Sequence, residues 1–358
     1  MKFFIPGFIL GIALNLPIFP IHTGFGFYPE FSSAVNAMEN IAPSEIKSGP
    51  QPTFTVKRGD TLFRLQSNGS AASVVALGGL AGVSGNGEYY IRYEKVGTEV
   101  EFCGNNQRFW KQKSREYPYL SYSGSLIFML NGDQSAVRIL DINGNTVGVG
   151  TIAGRVCTSI AFAPKGDYGA VGFLDGAFEA VGPNGASILK GRSENNGMIK
   201  GIALSNNGEH VAVHVGDAKI DWIELYDIPK NSCTVCRLKG VHKSKTAICI
   251  SDDGKAAVMD TGHILLMNTG GVYSEISIDE KKNGQASIVA ASEPDIWVAA
   301  YTTAQGISKF LAVTSGGKTI YSKDFPQESF LSASVADELI LLRGSDNLYC
   351  YSFFPQAK

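Results

Sequence analysis

Ser205-Asn206-Asn207-Gly208-Glu209-His210-Val211-Ala212-Val213-His214-Val215 (SNNGEHVAVHV, 205–215) is the stretch from which the rest of the chain can be read. A polar turn carrying glycine leads into a run in which apolar residues recur at every second position. That period of two belongs to a β-strand and not to a helix. The same wording recurs in SGNGEYYIRY (84–93), YSGSLIFML (122–130), APKGDYGAVGF (163–173), SDDGKAAVMD (251–260), SEPDIWVAAY (292–301) and VADELILLR (335–343). Anchored on Gly87, Gly124, Gly166, Gly208, Gly254, Asp295 and Asp337, the steps are 37, 42, 42, 46, 41 and 42 residues.

Each turn is preceded by a short apolar strand, as in Ser159–Phe162, Gly201–Leu204 and Ala247–Ile250. Each is followed by two more strands joined by a hairpin signal, Asn143-Gly144-Asn145 in one unit and Thr269-Gly270-Gly271 in another. Four strands every 40–45 residues or so is the blade period of a β-propeller. A single blade cannot bury both of its faces, and stacking blades around a ring does so while shielding the sheet edges. No long amphipathic helical window separates the strands, which disfavours a βαβ fold.

On the wording of SNNGEHVAVHV, SDDGKAAVMD and ILDINGNTVGVG, the chain resembles bacterial-type β-propellers of the WD40-like, YVTN-like and quinoprotein-like repeat superfamilies, over roughly residues 54–354. The resemblance implies an all-β propeller and does not select a subfamily. Six full units run from about Gly79 to Phe330. The remaining pieces, Leu331–Phe354 and Phe54–Leu77, supply about three strands each. If an N-terminal strand completes the last blade the ring has seven blades, which is the expected count; if the two pieces form separate blades it has eight.

Ahead of the repeats, Phe3–Pro29 contains no Lys, Arg, Asp or Glu, and Phe3–Phe19 is strongly apolar. Pro6, Pro17 and Pro20 restrict its helical stretch to Gly7–Leu16. This fits an export signal better than a spanning helix of about 20 residues. The nearest small-residue cleavage site is Val35-Asn36-Ala37. The expected organisation is therefore residues 1–29 as signal peptide or membrane anchor, 30–53 as a proline-containing linker, and 54–358 as the propeller. The expected location is extracytoplasmic, in the periplasm or cell envelope.

The 358 residues are 44% hydrophobic and only 18% charged, with 41 glycines and a net charge of −2. Such a chain has ample material for a core, and it lacks the basic surplus of a nucleic-acid binder. No G-x-S-x-G, P-loop or HExxH motif is present. The basic stretch with interleaved aromatics, Arg108, Phe109, Trp110, Lys111, Lys113, Arg115 and Tyr117, is the candidate partner contact. His210 and His214 share one strand face and are the candidate ligands should a metal bind. Cys233 and Cys236 are the one local cysteine pair, a possible disulfide. Thr55–Leu62 is similar to the opening of a LysM module, which would imply peptidoglycan binding.

No cofactor is expected. These features point to a non-catalytic protein-binding or scaffold module of the envelope, with a membrane contact through the leader if it is retained. The rival is a propeller enzyme, a hydrolase, lyase or quinone-dependent dehydrogenase, with a site on the central channel.

Overall fold

The computed structural model describes residues 24–34, 54–105, 107–193, 197–279, 281–291 and 295–356. Among them all regular structure is β-strand. Strand β1 (Gly24–Ala34) comes first. Then β2 (Phe54–Arg58), β3 (Thr61–Leu65) and β4 (Ala71–Ala76) make blade 1. Blade 2 holds β5 (Leu80–Val83), β6 (Tyr89–Tyr93), β7 (Glu99–Gly104) and β8 (Gln107–Lys113). Blade 3 holds β9 (Tyr117–Leu120), β10 (Leu126–Leu130), β11 (Ala136–Asp141) and β12 (Thr146–Ala153). Blade 4 holds β13 (Cys157–Phe162), β14 (Gly169–Phe173), β15 (Ala177–Val181) and β16 (Ser187–Arg192).

Blade 5 follows with β17 (Met198–Leu204), β18 (His210–Gly216), β19 (Asp221–Asp227) and β20 (Ser232–Arg237). Blade 6 has β21 (Ile248–Ile250), β22 (Ala256–Asp260), β23 (His263–Asn268) and β24 (Gly271–Ser277). Blade 7 has β25 (Lys281–Ala291), β26 (Ile296–Thr303), β27 (Ser308–Thr314) and β28 (Thr319–Phe325). Blade 8 has β29 (Leu331–Ala336), β30 (Leu339–Gly344) and β31 (Asn347–Gln356), and β1 pairs antiparallel with β31 as its outer strand.

The protein is thus an eight-bladed propeller, and the expectation of seven blades is corrected. An N-terminal strand does complete the last blade, as the seven-blade count required. That strand comes from upstream, however, so Phe54–Ala76 remains free to build a blade of its own. Thr55, at the start of β2, lies against Gly87 in the β5–β6 turn, and Leu77 N–H donates to Asp60 O at 2.6 Å. The Arg58-Gly59-Asp60 hairpin therefore sits at the end of the ring opposite the β5–β6 turn.

Strand alternation explains the ring. In β18, Val211, Val213 and Val215 face blade 4, while His210, Ala212 and His214 face blade 6. Each of the eight interfaces between neighbouring blades holds one apolar cluster. The closing interface joins Phe54, Val56, Phe63, Leu65 and Val74 of blade 1 to Leu341, Leu348 and Cys350 of blade 8. Phe27 of β1 packs with Phe310, Tyr321 and Phe353, and Phe31 lies over Gly69 of blade 1. β1 therefore touches blades 7, 8 and 1.

Six of the seven repeat anchors, Gly87, Gly124, Gly208, Gly254, Asp295 and Asp337, have φ between 50° and 80°. This is the left-handed region that glycine occupies freely and Asp tolerates better than most residues. The repeat is therefore a backbone requirement of the turn joining the inner strand to the second strand.

Gly208 has φ +70° and a Cβ there would run into the Tyr168 ring, whereas Gly306, at φ +88°, has open space around it. Gly306→Ala is expected to lower unfolding free energy by about 1–2 kcal/mol, the left-handed backbone cost alone. Gly208→Ala should add an overpacking cost of about 1–3 kcal/mol. Urea unfolding of the two variants checks this, and equal losses would contradict it.

Candidate functional site

The inner strands of blades 2 to 8 end at the repeat turns, so these turns gather around one mouth of the ring axis. Below them lies a cavity of about 470 Å³ to which all eight blades contribute. Its wall is apolar, with Phe54, Ile250, Val289, Ile296, Trp297 and Val335. Its rim is polar, with Asn86, Lys165, Asn206, Asp252, Asp253 and Asp295. An enclosed apolar wall with a few convergent polar groups is the usual form of a ligand site. A second groove of about 450 Å³, lined by Glu30, Ser67, Asn68, Asp337, Glu338, Leu339 and Ser352, lies where β1 and β31 meet blade 1, and it is the more open of the two.

The rim charges are arranged in pairs. Lys255 Nζ lies 2.7 Å from Asp253 Oδ2 and 3.2 Å from Asp295 Oδ2. Lys165 Nζ approaches Asp337 Oδ1 at 3.9 Å, linking the turns of blades 4 and 8. Asp252 Oδ1 accepts from Asn207 N at 3.1 Å. Burial alone would raise the Asp253 carboxyl, but hydrogen bonds from Lys255 and Ser251 outweigh it and hold the group below its ordinary value. Asp253 is thus a fixed negative charge. Among the described residues, no group of three His, Cys, Asp or Glu could hold a metal ion.

A second polar cluster joins blades 5 and 6 at the end of the strands remote from the cavity. Lys200 Nζ donates to Asp221 Oδ1 at 2.6 Å and to His242 O at 2.7 Å. His214 Nε2 lies 2.9 Å from Asp221 Oδ2, which also accepts from His242 N at 2.9 Å. His242 Nε2 in turn lies 2.9 Å from Asp260 Oδ1. The side chains of Asp221 and His214 are fully buried and that of Lys200 is 3% exposed. Burial opposes the charged form of Asp221, yet the hydrogen bonds from His214, Lys200 and His242 N–H hold its pKa below the ordinary value. Burial lowers the His214 pKa and outweighs the raising effect of Asp221. This cluster is a polar staple between blades.

His210 and His214 therefore share a strand face as the period of two requires, but they do not converge on a metal. His210 lies under Gly254 of the next blade and His214 faces Asp221. Cys233 and Cys236 are not joined by a disulfide, and Cys233 is exposed while Cys236 is buried. A spacing of three on β20 puts them on opposite faces of the strand. The basic stretch lies mostly on β8, the outer strand of blade 2. There Arg108 pairs with Glu101 at 3.1 Å and Lys111 with Glu99 at 2.7 Å, both acids on β7.

Trp110 stacks on Phe102 and donates its indole N–H to Ile142 O at 2.8 Å, tying blade 2 to blade 3. Phe109 is exposed, and Tyr117 is half-buried on the inner strand β9. Lys113 and Arg115 lie at the end of β8 and in the loop after it. Thr55–Leu62, the LysM-like segment, is the β2–β3 hairpin of blade 1. The hydrophobic run Phe3–Phe19 and the Val35-Asn36-Ala37 site lie outside the described residues. Sequence reading missed the axial rim because each blade supplies only one to a few of its residues. The repeat turns were the available signal.

No family model matches the chain, and a search of curated proteins finds no match either.

The staple sets a pH dependence. The folded state holds His214 neutral below its ordinary pKa of 6.5, while the unfolded chain takes up a proton there. Stability is therefore expected to fall as pH drops from 7 to 5.5, with the slope reduced in His214→Gln. Asp221→Asn should cost about 3–5 kcal/mol, because it leaves the Lys200 ammonium buried without its counter-charge. Urea midpoints across this pH range check both, and a midpoint that rises on acidification would contradict the account.

Proposed function

We propose that this protein is a non-catalytic binding module of the cell envelope that seats its ligand or partner in the axial cavity. The observation that carries the reading is the preformed cavity itself, with an apolar wall, a polar rim and walls drawn from all eight blades. Binding loops on a rigid ring are a frequent solution for recognition. The rim carboxylates would serve the rival enzyme reading if one were held protonated as an acid. Instead Asp253 is held ionised and is paired with Lys255, which suits charge recognition better than proton transfer. Kinship with the WD40-like, YVTN-like or quinoprotein-like superfamilies belongs to the same proposal and rests on the repeat wording and the propeller ring.

The envelope location rests on the apolar, uncharged leader. The position of β1 refines it. Processing at Val35-Asn36-Ala37 would remove Gly24–Ala34 and with it the outer strand of blade 8. The proposal is therefore that the leader is retained as an anchor or removed upstream of Gly24. Intact-mass analysis of the protein from envelope fractions should find Gly24 within the mature chain, and an N-terminus at Met38 would contradict this.

The partner contact also moves. Arg108 and Lys111 already have acidic neighbours on β7, so the cavity rim is the better candidate. Ala290→Trp, at a residue that lines the cavity and borders the blade 6–7 cluster, is expected to abolish capture of the partner from solubilised envelope in protein that still unfolds cooperatively. Joint replacement of Arg108, Lys111, Lys113 and Arg115 by Ala should leave capture intact. The reverse outcome would restore the β8 surface as the contact.

A further inference from the structure

We infer that the axial cavity selects a ligand in which an apolar body carries a free ammonium group, an inference that rests on the reading of this cavity as the binding site. Three observations support it together. Among the described residues, the part of the rim built by blades 6 and 7 presents Asp252, Asp253 and Asp295 against one cation, Lys255. Lys255 bridges Asp253 and Asp295, and among the described residues no lysine or arginine pairs with Asp252, whose side chain accepts only the Asn207 amide. Across the mouth, Lys165 approaches Asp337. This side of the mouth is therefore negative, which favours a cation and opposes a carboxylate.

The wall contributed by the same two blades is apolar, with Ile250, Ala291, Ile296 and Trp297. The apolar part of a ligand and its charge can thus be satisfied side by side. Trp297 is 2% exposed, and its indole N–H has no hydrogen-bond partner. Trp297 lines the cavity, so its indole is placed to report occupancy. A volume of about 470 Å³ is within the ordinary range for small organic ligands. The ammonium has two sources, a free aromatic or aliphatic amine and the N-terminal residue of a peptide, and both present the same chemistry to the rim.

The test uses the full chain and three probes of one shape: phenethylamine, phenethyl alcohol and 3-phenylpropionate. Calorimetry at low salt is expected to rank them amine, alcohol, carboxylate, with at least a tenfold gap between the first two. The gap should narrow in high salt, because the rim is solvent-exposed. Asp252→Asn combined with Asp295→Asn should bring the amine to the level of the alcohol while the melting temperature holds. Phe-Ala-Ala-amide against its N-acetyl form distinguishes the sources: a free-terminus preference marks a peptide ligand, and its absence alongside amine binding marks a small amine.

Binding should also perturb tryptophan fluorescence in the native chain and not in Trp297→Phe. Equal affinity for amine and alcohol overturns the ammonium inference and leaves the cavity reading standing, provided that Ala290→Trp abolishes both. If none of the probes binds, both fall.

Discussion

Each sheet in this protein is apolar on both faces and can bury them only against its neighbours. The eight interblade clusters are the physical consequence, and the rest of the structure depends on them. Neither end of such a series can be left open without exposing a face, so the chain must close. Closure is made by Phe54, Val56 and Phe63 of blade 1 against Leu341 and Leu348 of blade 8, with β1 laid along the outer edge. That edge would otherwise present the unpaired backbone of β31 to other chains. The first described strand thus completes the last blade, and the two termini of the ring are held together by pairing rather than by a covalent link.

The cavity follows from the same geometry. Eight blades set side by side leave space on the axis, and the left-handed anchor residues turn the inner strands of blades 2, 3, 5, 6, 7 and 8 back at a common level. The chemistry of the rim is then decided by which residues flank each anchor. In blades 6 and 7 these are Asp252, Asp253 and Lys255 beside Gly254, and Asp295 itself as the anchor. At the other end of the strands, the buried Lys200–Asp221–His214 group of blade 5 holds His242, which in turn bonds Asp260 of blade 6. The proposed ligand site and the polar staple lie at opposite ends of the ring.

Much of this was legible in the sequence. The period of about 42 residues, the turn anchors and the strand alternation of SNNGEHVAVHV all reappear as elements. The blade count was not legible, for two reasons. Blade 1 carries no copy of the repeat turn, since its Arg58-Gly59-Asp60 hairpin belongs to the opposite end of the ring. β1 straddles the uncharged stretch read as a leader, which ends at Pro29, and the start of the stretch read as a linker, and its partner Asn347–Gln356 is more than three hundred residues away.

The candidate sites show the same limit. Arg108 and Lys111 read as a free basic patch until the register of β7 and β8 sets Glu101 and Glu99 beside them. His214 finds Asp221 only through the β18–β19 register. Local composition gives the elements, whereas convergence on the axis depends on pairings between distant segments.

The central claim is that β1 is an integral strand that closes the ring. Hydrogen exchange of the full-length chain, resolved by peptide mass, tests it most directly. The account predicts that the backbone amides of Tyr28–Ala34 that pair with β31 are protected, and that they lose protection together with those of Asn347–Ser352 as denaturant is added. Rapid exchange throughout β1 while β31 stays protected would contradict it.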